Sequence, residues 1–232
     1  PPRSTLFPYT TLFRSEQTRV VDVEKQGDMY YVLVLDPGNK YKMYRTKLFV
    51  NALGHNGEVF ARKLGYMTGI YPVRHQAFIT KRMPLLGKDG KALDMLIDRR
   101  KYKGFSAVYG QQLADTGQVI GCASPMVDMQ ESGKNVKVNT QDFLNIVSEV
   151  FIQWIPQIAN VGFQAFWSGY YTEPRYIVDP ARGLFVGMRG HGFMLAQYLA
   201  KLYVDSLQGR KVQDYLGALA LDPTGLSAMA FK

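Results

Sequence analysis

The sequence has a single cysteine, Cys122, and only three histidines, His55, His75 and His191, among its 232 residues. One cysteine cannot form an internal disulfide, so a disulfide-stapled scaffold is excluded. The histidines lie far apart without ligand spacing and give no support for a metal centre. Neither a G-x-S-x-G elbow nor a Walker A loop occurs. No apolar stretch reaches the ~20 residues of a membrane helix; the longest candidate, residues 193–207, carries Gln197, Lys201 and Asp205. Pro8 interrupts the apolar run near the start, which does not suit a signal peptide. The setting expected from these features is cytoplasmic.

What is present is a core. Hydrophobic residues make up 47% of the chain and aromatics 13%, enough for one large domain or two small ones. The formal charge is +9, but the basic residues are scattered among acids. That distribution is expected of a solvated surface attractive to anionic small molecules, not of a nucleic-acid groove.

Strands are expected at residues 19–25, 29–35 and 42–46, with a turn at Asp36-Pro37-Gly38-Asn39. Residues 47–53 form a continuous apolar run ending at Gly54, which predicts a strand buried on both faces. A short helix is expected over 58–64, and strands over 74–80 and 93–98. A hairpin is expected from 105–111 and 118–123 across Ala114-Asp115-Thr116-Gly117. Apolar spacing predicts a helix over 139–155, capped by Asn139 or Thr140 and closed by Pro156. A strand over 184–188, a turn at Arg189-Gly190-His191-Gly192 and a helix over 193–207 complete the chain. Residues 10–13 read as a weak strand.

That last turn is the strongest local signal. Its two glycines let the backbone approach a planar or anionic group, and the helix behind it directs free N–H groups toward that point. A plain tight turn accounts for the same residues equally well. Cys122, within an expected strand, reads as a core residue and not as a nucleophile.

Four blocks, in order, resemble the C-terminal portion of the FAD-dependent amine and amino-acid oxidoreductases, the superfamily of D-amino-acid, glycine and sarcosine oxidases. They are LFVNALGHNGE, YPVRHQAFIT, GFSAVYGQQLADTGQVIGCAS and LFVGMRGHGFMLAQYLAKLYVDSLQG. The resemblance covers residues 18–209. It implies an α/β fold: a truncated Rossmann-like FAD-binding domain beside a mixed-sheet α+β substrate domain. The implied divisions are 16–65 and 169–232 for the FAD domain and 66–168 for the substrate domain.

The implied function is oxidation of the C–N bond of an amino acid or N-methyl amino acid by hydride transfer to flavin. The cofactor would touch Asn51, Gly54, Arg189, Gly190, His191, Gly192, Phe193 and Met194. The substrate would be a small carboxylate-bearing amine, with Arg175 as its first-choice clamp and Tyr171 and Tyr109 as further catalytic candidates. An oligomer or an electron-acceptor partner is left open. Two departures from the family pattern stand out. Met194 occupies the position where sarcosine oxidases carry a lysine, which leaves oxidase and dehydrogenase chemistry both open. No cysteine lies near 168–171, so the FAD is expected to be noncovalent. A non-catalytic binding or assembly subunit with the same fold is the alternative.

The family's G-x-G-x-x-G loop occurs nowhere in the sequence. Residues 1–15, PPRSTLFPYTTLFRS, translate residue for residue from a nucleotide string that resembles a short-read sequencing adapter. They are expected to be non-native, the genuine reading frame starting near Glu16. Setting aside Arg3 and Arg14 leaves 26 basic against 19 acidic residues, a charge of +7. A chain cut in this way is expected to bind FAD weakly or not at all and to show no turnover.

Overall fold

In the computed structural model, residues 14–102, 104–126, 140–214, 217 and 218 are described; the weak strand expected at 10–13 and the alternative cap Asn139 lie outside them. Strands β1 (Arg19–Gln26), β2 (Met29–Leu35) and β3 (Tyr41–Thr46) form an antiparallel sheet in that order. Tyr30, Val32 and Val34 alternate inward along β2 and pack with Val23 on Phe49 and Phe60, the period-two burial of a one-faced sheet. The β2–β3 turn closes because Asp36 Oδ1 accepts from the backbone N–H of Gly38 and Lys40, at 2.8 and 2.9 Å.

The strand expected over 47–53 does not form. Only Asn51 pairs, as an isolated parallel bridge to Leu184, while Leu48 and Val50 are 52% and 40% exposed. Its neighbour supplies one short edge, and among the described residues nothing pairs on the other side. The apolar run therefore has a single bridge to hold it extended. Helix α1 (Gly57–Lys63) follows, its first glycine set against Val186.

A five-stranded antiparallel sheet carries the larger core. Its strands are β4 (Tyr71–Thr80), β5 (Leu96–Asp98), β6 (Phe105–Gln112), β7 (Val119–Pro125) and β8 (Phe163–Glu173), in the order β5-β6-β7-β4-β8. β8 is the longest described strand and was not anticipated. Aromatics stand at both parities along it (Phe163, Phe166, Trp167, Tyr170 and Tyr171), so no one-faced alternation marks it. Helix α2 (Gln141–Trp154) covers one face of this sheet. Phe143, Val147, Val150 and Phe151 pack on Phe78, Val108 and Val119. Thr140 caps α2, its Oγ1 accepting from Phe143 N at 3.2 Å. Gln76 pins that cap to β4: its Nε2 donates to Thr140 Oγ1 at 3.1 Å, and its Oε1 accepts from Thr140 N at 2.6 Å.

A one-turn helix α3 (Ile158–Val161) leads into β8. The chain then forms a small hairpin, β9 (Ile177–Asp179) with β10 (Leu184–Val186). Helix α4 (Gly192–Leu207) packs Leu199, Leu202 and Tyr203 against Val178. Strands, turn and helix thus bring residues 187–192 alongside β8.

Candidate active site

The face of the large sheet away from α2 is where the chemistry-bearing side chains gather. The hairpin register pairs Tyr109 with Cys122, Cys122 pairs onward with Ala77, and His75 pairs with Gly169. Strand periodicity places these residues on one side together with Tyr171. Gly169 has no side chain, and the ring of Tyr171 occupies the space, stacking on His75 with centroids 3.8 Å apart and planes 25° from parallel. The same ring also meets Gly190. A methyl group at Gly190 would lie 2.9 Å from two of the ring's carbons and overlap a third. Gly190 is therefore required by a residue of this chain, whatever else the turn contacts.

The Tyr109 hydroxyl lies within hydrogen-bonding reach of the Cys122 thiol and the Ser124 side chain. Burial pushes the Tyr109 phenol up, with Cys122 adding to the effect. Burial raises Tyr171 in the same way, again reinforced by Cys122. The Cys122 thiol is pushed up to about 11, burial being the main cause. Both hydroxyls and the thiol thus keep their protons at neutral pH, and this surface offers uncharged donors.

A pH prediction follows from the thiol. Its ordinary value is 9.0 and its folded value about 11, so the proton is held more tightly in the folded state. The stability this contributes is whole below pH 9 and is lost as the pH rises toward 11. Alkylation of Cys122 is expected to quicken about tenfold per pH unit up to the raised value. A thiol-labelling rate that levels off near pH 9 would contradict this. The Cys122→Ala variant should lose less stability than the wild type over that interval.

The opposite side of β8 reaches a second loop. Tyr170 packs on His55 with centroids 4.8 Å apart, within the turn Gly54–Asn56. Burial lowers the pKa of His55 and favours its neutral form. Asn51 shapes this loop from within. It is fully buried, its Nδ2 donates to Gly57 O at 2.8 Å, and its backbone N–H donates to Gly183 O at 2.7 Å. Gly54 has φ +57°. Consecutive tyrosines of β8 therefore touch the Gly54 loop and the Gly190 turn.

Within the turn, Gly187 has φ +74° and its backbone lies against the Arg175 carbonyl. Arg189 adopts φ +50° and donates through Nε to Glu173 Oε2 at 2.8 Å. The Tyr176 hydroxyl and His191 Nδ1 stand 2.8 Å apart. α4 begins at Gly192 with no side-chain cap and no acidic residue in its first turn. Phe193 and Met194 beside it are 100% and 68% exposed. Arg175 donates through Nη2 to Thr68 O at 3.2 Å, toward the connector that precedes β4. Tyr171 meets the Gly190 turn, Tyr109 lies within electrostatic range of Tyr171, and Arg175 reaches Thr68 through Nη2.

His75, Cys122 and Ser124 were not proposed from the sequence. The signal was there for two of them: a hairpin centred on residues 114–117 places Tyr109 opposite Cys122, and Ser124 two residues on shares its face.

These residues fit one end of FAD. Exposed apolar side chains beside free helix N–H groups suit a flat, apolar ring with an electron-rich edge. No glycine-rich phosphate loop accompanies them, so the fit is to the ring end alone. Among the described residues no cluster of His, Cys, Asp or Glu could hold a metal, and no helix is long and apolar enough to cross a membrane.

A family model for FAD dependent oxidoreductases (DAO) matches residues 15–206. Among solved structures, L-proline dehydrogenase from P. horikoshii is 23% identical with a TM-score of 0.63, covering 88% of this chain and 52% of its own. Glycine oxidase from Geobacillus kaustophilus is 18% identical with a TM-score of 0.64, covering 89% and 52%. NikD, an amino acid oxidase essential for nikkomycin biosynthesis, is 14% identical with a TM-score of 0.66, covering 85% and 52%. At these identities the likeness is one of fold, and the chain spans about half the length of the structures it matches. No curated protein matches it.

Proposed function

Because the chain belongs to the DAO family of FAD dependent oxidoreductases, we propose that it forms the substrate-facing part of a flavoenzyme that oxidises the C–N bond of an amino acid or N-methyl amino acid. The observation that carries this reading is Tyr171, whose ring contacts both His75 and Gly190. It puts the protonated hydroxyl surface of the sheet next to the glycine turn at the start of α4.

Bound noncovalently, FAD would supply the two-electron acceptor that no side chain provides. Phe193, Met194 and the backbone at Gly190 and Gly192 would hold its ring end, with Gly54, His191 and Arg189 at the margin. The N–H groups of the first turn of α4 add positive potential there without reorganisation. Tyr109 and Tyr171, kept protonated by burial, donate to the substrate carboxylate. Asn51 and Arg175 act at one remove, Asn51 by shaping the Gly54 loop and Arg175 by tying the turn to Thr68.

Two readouts test this. Riboflavin and FAD are expected to bind the full chain with similar, weak affinity, because only the ring end is held here, and Gly190→Val is expected to weaken both about tenfold, about 1.4 kcal/mol. Unchanged flavin-fluorescence quenching by a Gly190→Val protein that melts normally would remove the turn from the flavin site. Anaerobic addition of amino acids to the chain held saturated with excess FAD is expected to bleach the bound flavin once, a single reduction that does not require the repeated turnover that weak flavin retention prevents. Failure of every amino acid and N-methyl amino acid to do so would overturn the proposed reaction.

A further inference from the structure

A cavity of about 190 Å³ opens on the same sheet face. Ala77, Tyr109, Gln111, Ile120 and Cys122 line it, with Met95 at one wall and the backbone of Gly110 and Gly121 in its floor. No lysine, arginine, aspartate or glutamate contributes to the lining. The floor is stiff. Gly110 and Gly121 pair across β6 and β7, and a methyl group on Gly121 would lie 2.5 Å from Phe151 and 2.7 Å from Phe78. The two rings therefore press directly on the backbone beneath the cavity and keep it from yielding downward. For comparison, an apolar cavity of ~150 Å³ takes up benzene.

The cavity shares Tyr109 and Cys122 with the site, and Cys122 lies within electrostatic reach of Tyr171. A substrate whose carboxylate reaches the two tyrosine hydroxyls thus has an apolar recess at hand for its remaining atoms. Resting on the reading above, we propose that this recess receives the side chain of the amino-acid substrate, and that the preferred side chain is uncharged, apolar and of branched-aliphatic to phenyl size. Ala77 and Ile120 set the limit from within the sheet, on β4 and β7, with Met95 and Gln111 completing the lining. A charged side chain would lose its water there and meet only neutral groups, among them the Gln111 amide and the Tyr109 hydroxyl, with no counter-charge.

Cys122 reports on occupancy, being the chain's single cysteine. The whole 232-residue chain is treated with iodoacetamide, and labelling is followed by intact-mass spectrometry. The probes are 3-phenylpropanoate, 4-methylpentanoate, acetate and butanedioate, which carry the carboxylate but no oxidisable amine. The first two are expected to slow labelling, with affinity falling about fourfold for each methylene removed. Acetate and butanedioate are expected to leave the rate unchanged. Ala77→Leu should remove the protection, and Ile120→Ala should extend it to 4-phenylbutanoate. Calorimetric titration with the same acids should give the same ranking and does not depend on thiol reactivity.

Equal protection by acetate and butanedioate, or no binding of either apolar acid to folded wild-type protein, overturns the pocket. Oxidation of small or acidic amino acids in preference to apolar ones also overturns it while leaving the C–N oxidation reading intact. Flavin that no amino acid bleaches, in a protein whose Cys122 the apolar acids still protect, overturns that reading and not the recess.

Discussion

Phe151→Ala is expected to lower the unfolding free energy by about 4 kcal/mol, within the range for removing a buried phenylalanine. Phe151 is fully buried in α2 and meets Phe78 edge-on, with centroids 4.7 Å apart. It also packs against Trp154 at 5.0 Å. Below it lie Gly110 and Gly121, which have no side chains to collapse into the space. The vacated volume is bounded by backbone on one side and by helix on the other, so relaxation is limited and the cavity persists. Urea unfolding should show a lower midpoint with an unchanged slope, the signature of lost stability without altered compactness. A loss under ~1.5 kcal/mol would mean that the sheet can close onto the helix, which this packing does not allow. Because the same glycine pair floors the proposed recess, the variant should also loosen the preference among apolar acids.

Arg182→Ala is expected to cost about 3 kcal/mol, because it leaves a buried carboxylate without its counter-charge. Asp179 is 2% exposed and closes the β9–β10 hairpin. Its Oδ2 accepts from Arg182 Nη1 at 2.6 Å and its Oδ1 from the Arg182 backbone N–H at 3.1 Å. The Arg182 guanidinium also lies over the Tyr66 ring, 5.7 Å from its centroid. The pair is buried on both sides, with side chains 15% and 3% exposed, so solvent screens it little. Adding Asp179→Asn removes the stranded charge while keeping the backbone contact. The double variant is therefore expected to recover more than half of the loss. Two single losses that simply add would show that the cost lies in Arg182's packing and not in the unpaired charge. The hairpin carries residue 184, the bridge partner of Asn51, and leads into the Gly190 turn. The Arg182→Ala protein should therefore also bind flavin more weakly at temperatures where it remains folded.

Local information in the chain was sufficient for what is local. The apolar spacing of Phe143, Val147, Val150 and Phe151 specifies α2 and the face it buries. The Asp36 turn specifies β2 and β3, and the turn at 114–117 specifies the register that sets Tyr109 opposite Cys122. The single cysteine rules out a disulfide framework without reference to any coordinates. Hairpins and helices follow from residues within a few positions of each other, and that is the range over which periodicity and turn chemistry act.

Tertiary structure decided the rest. Residues 47–53 are as apolar as a buried strand, yet they pair at one position because an extended segment is held only by neighbours that exist in space. β8 was illegible because its aromatics serve both faces: Tyr170 meets His55 and Tyr171 meets His75. Arg175, the first-choice carboxylate clamp, donates through Nη2 to the carbonyl of Thr68, 107 residues away. The ring of Tyr171 leaves no room for a side chain at Gly190. Each of these outcomes depends on a contact between residues far apart in the chain. No local pattern encodes such a contact, because it is decided by which surfaces are left to be buried once the hairpins and helices have formed.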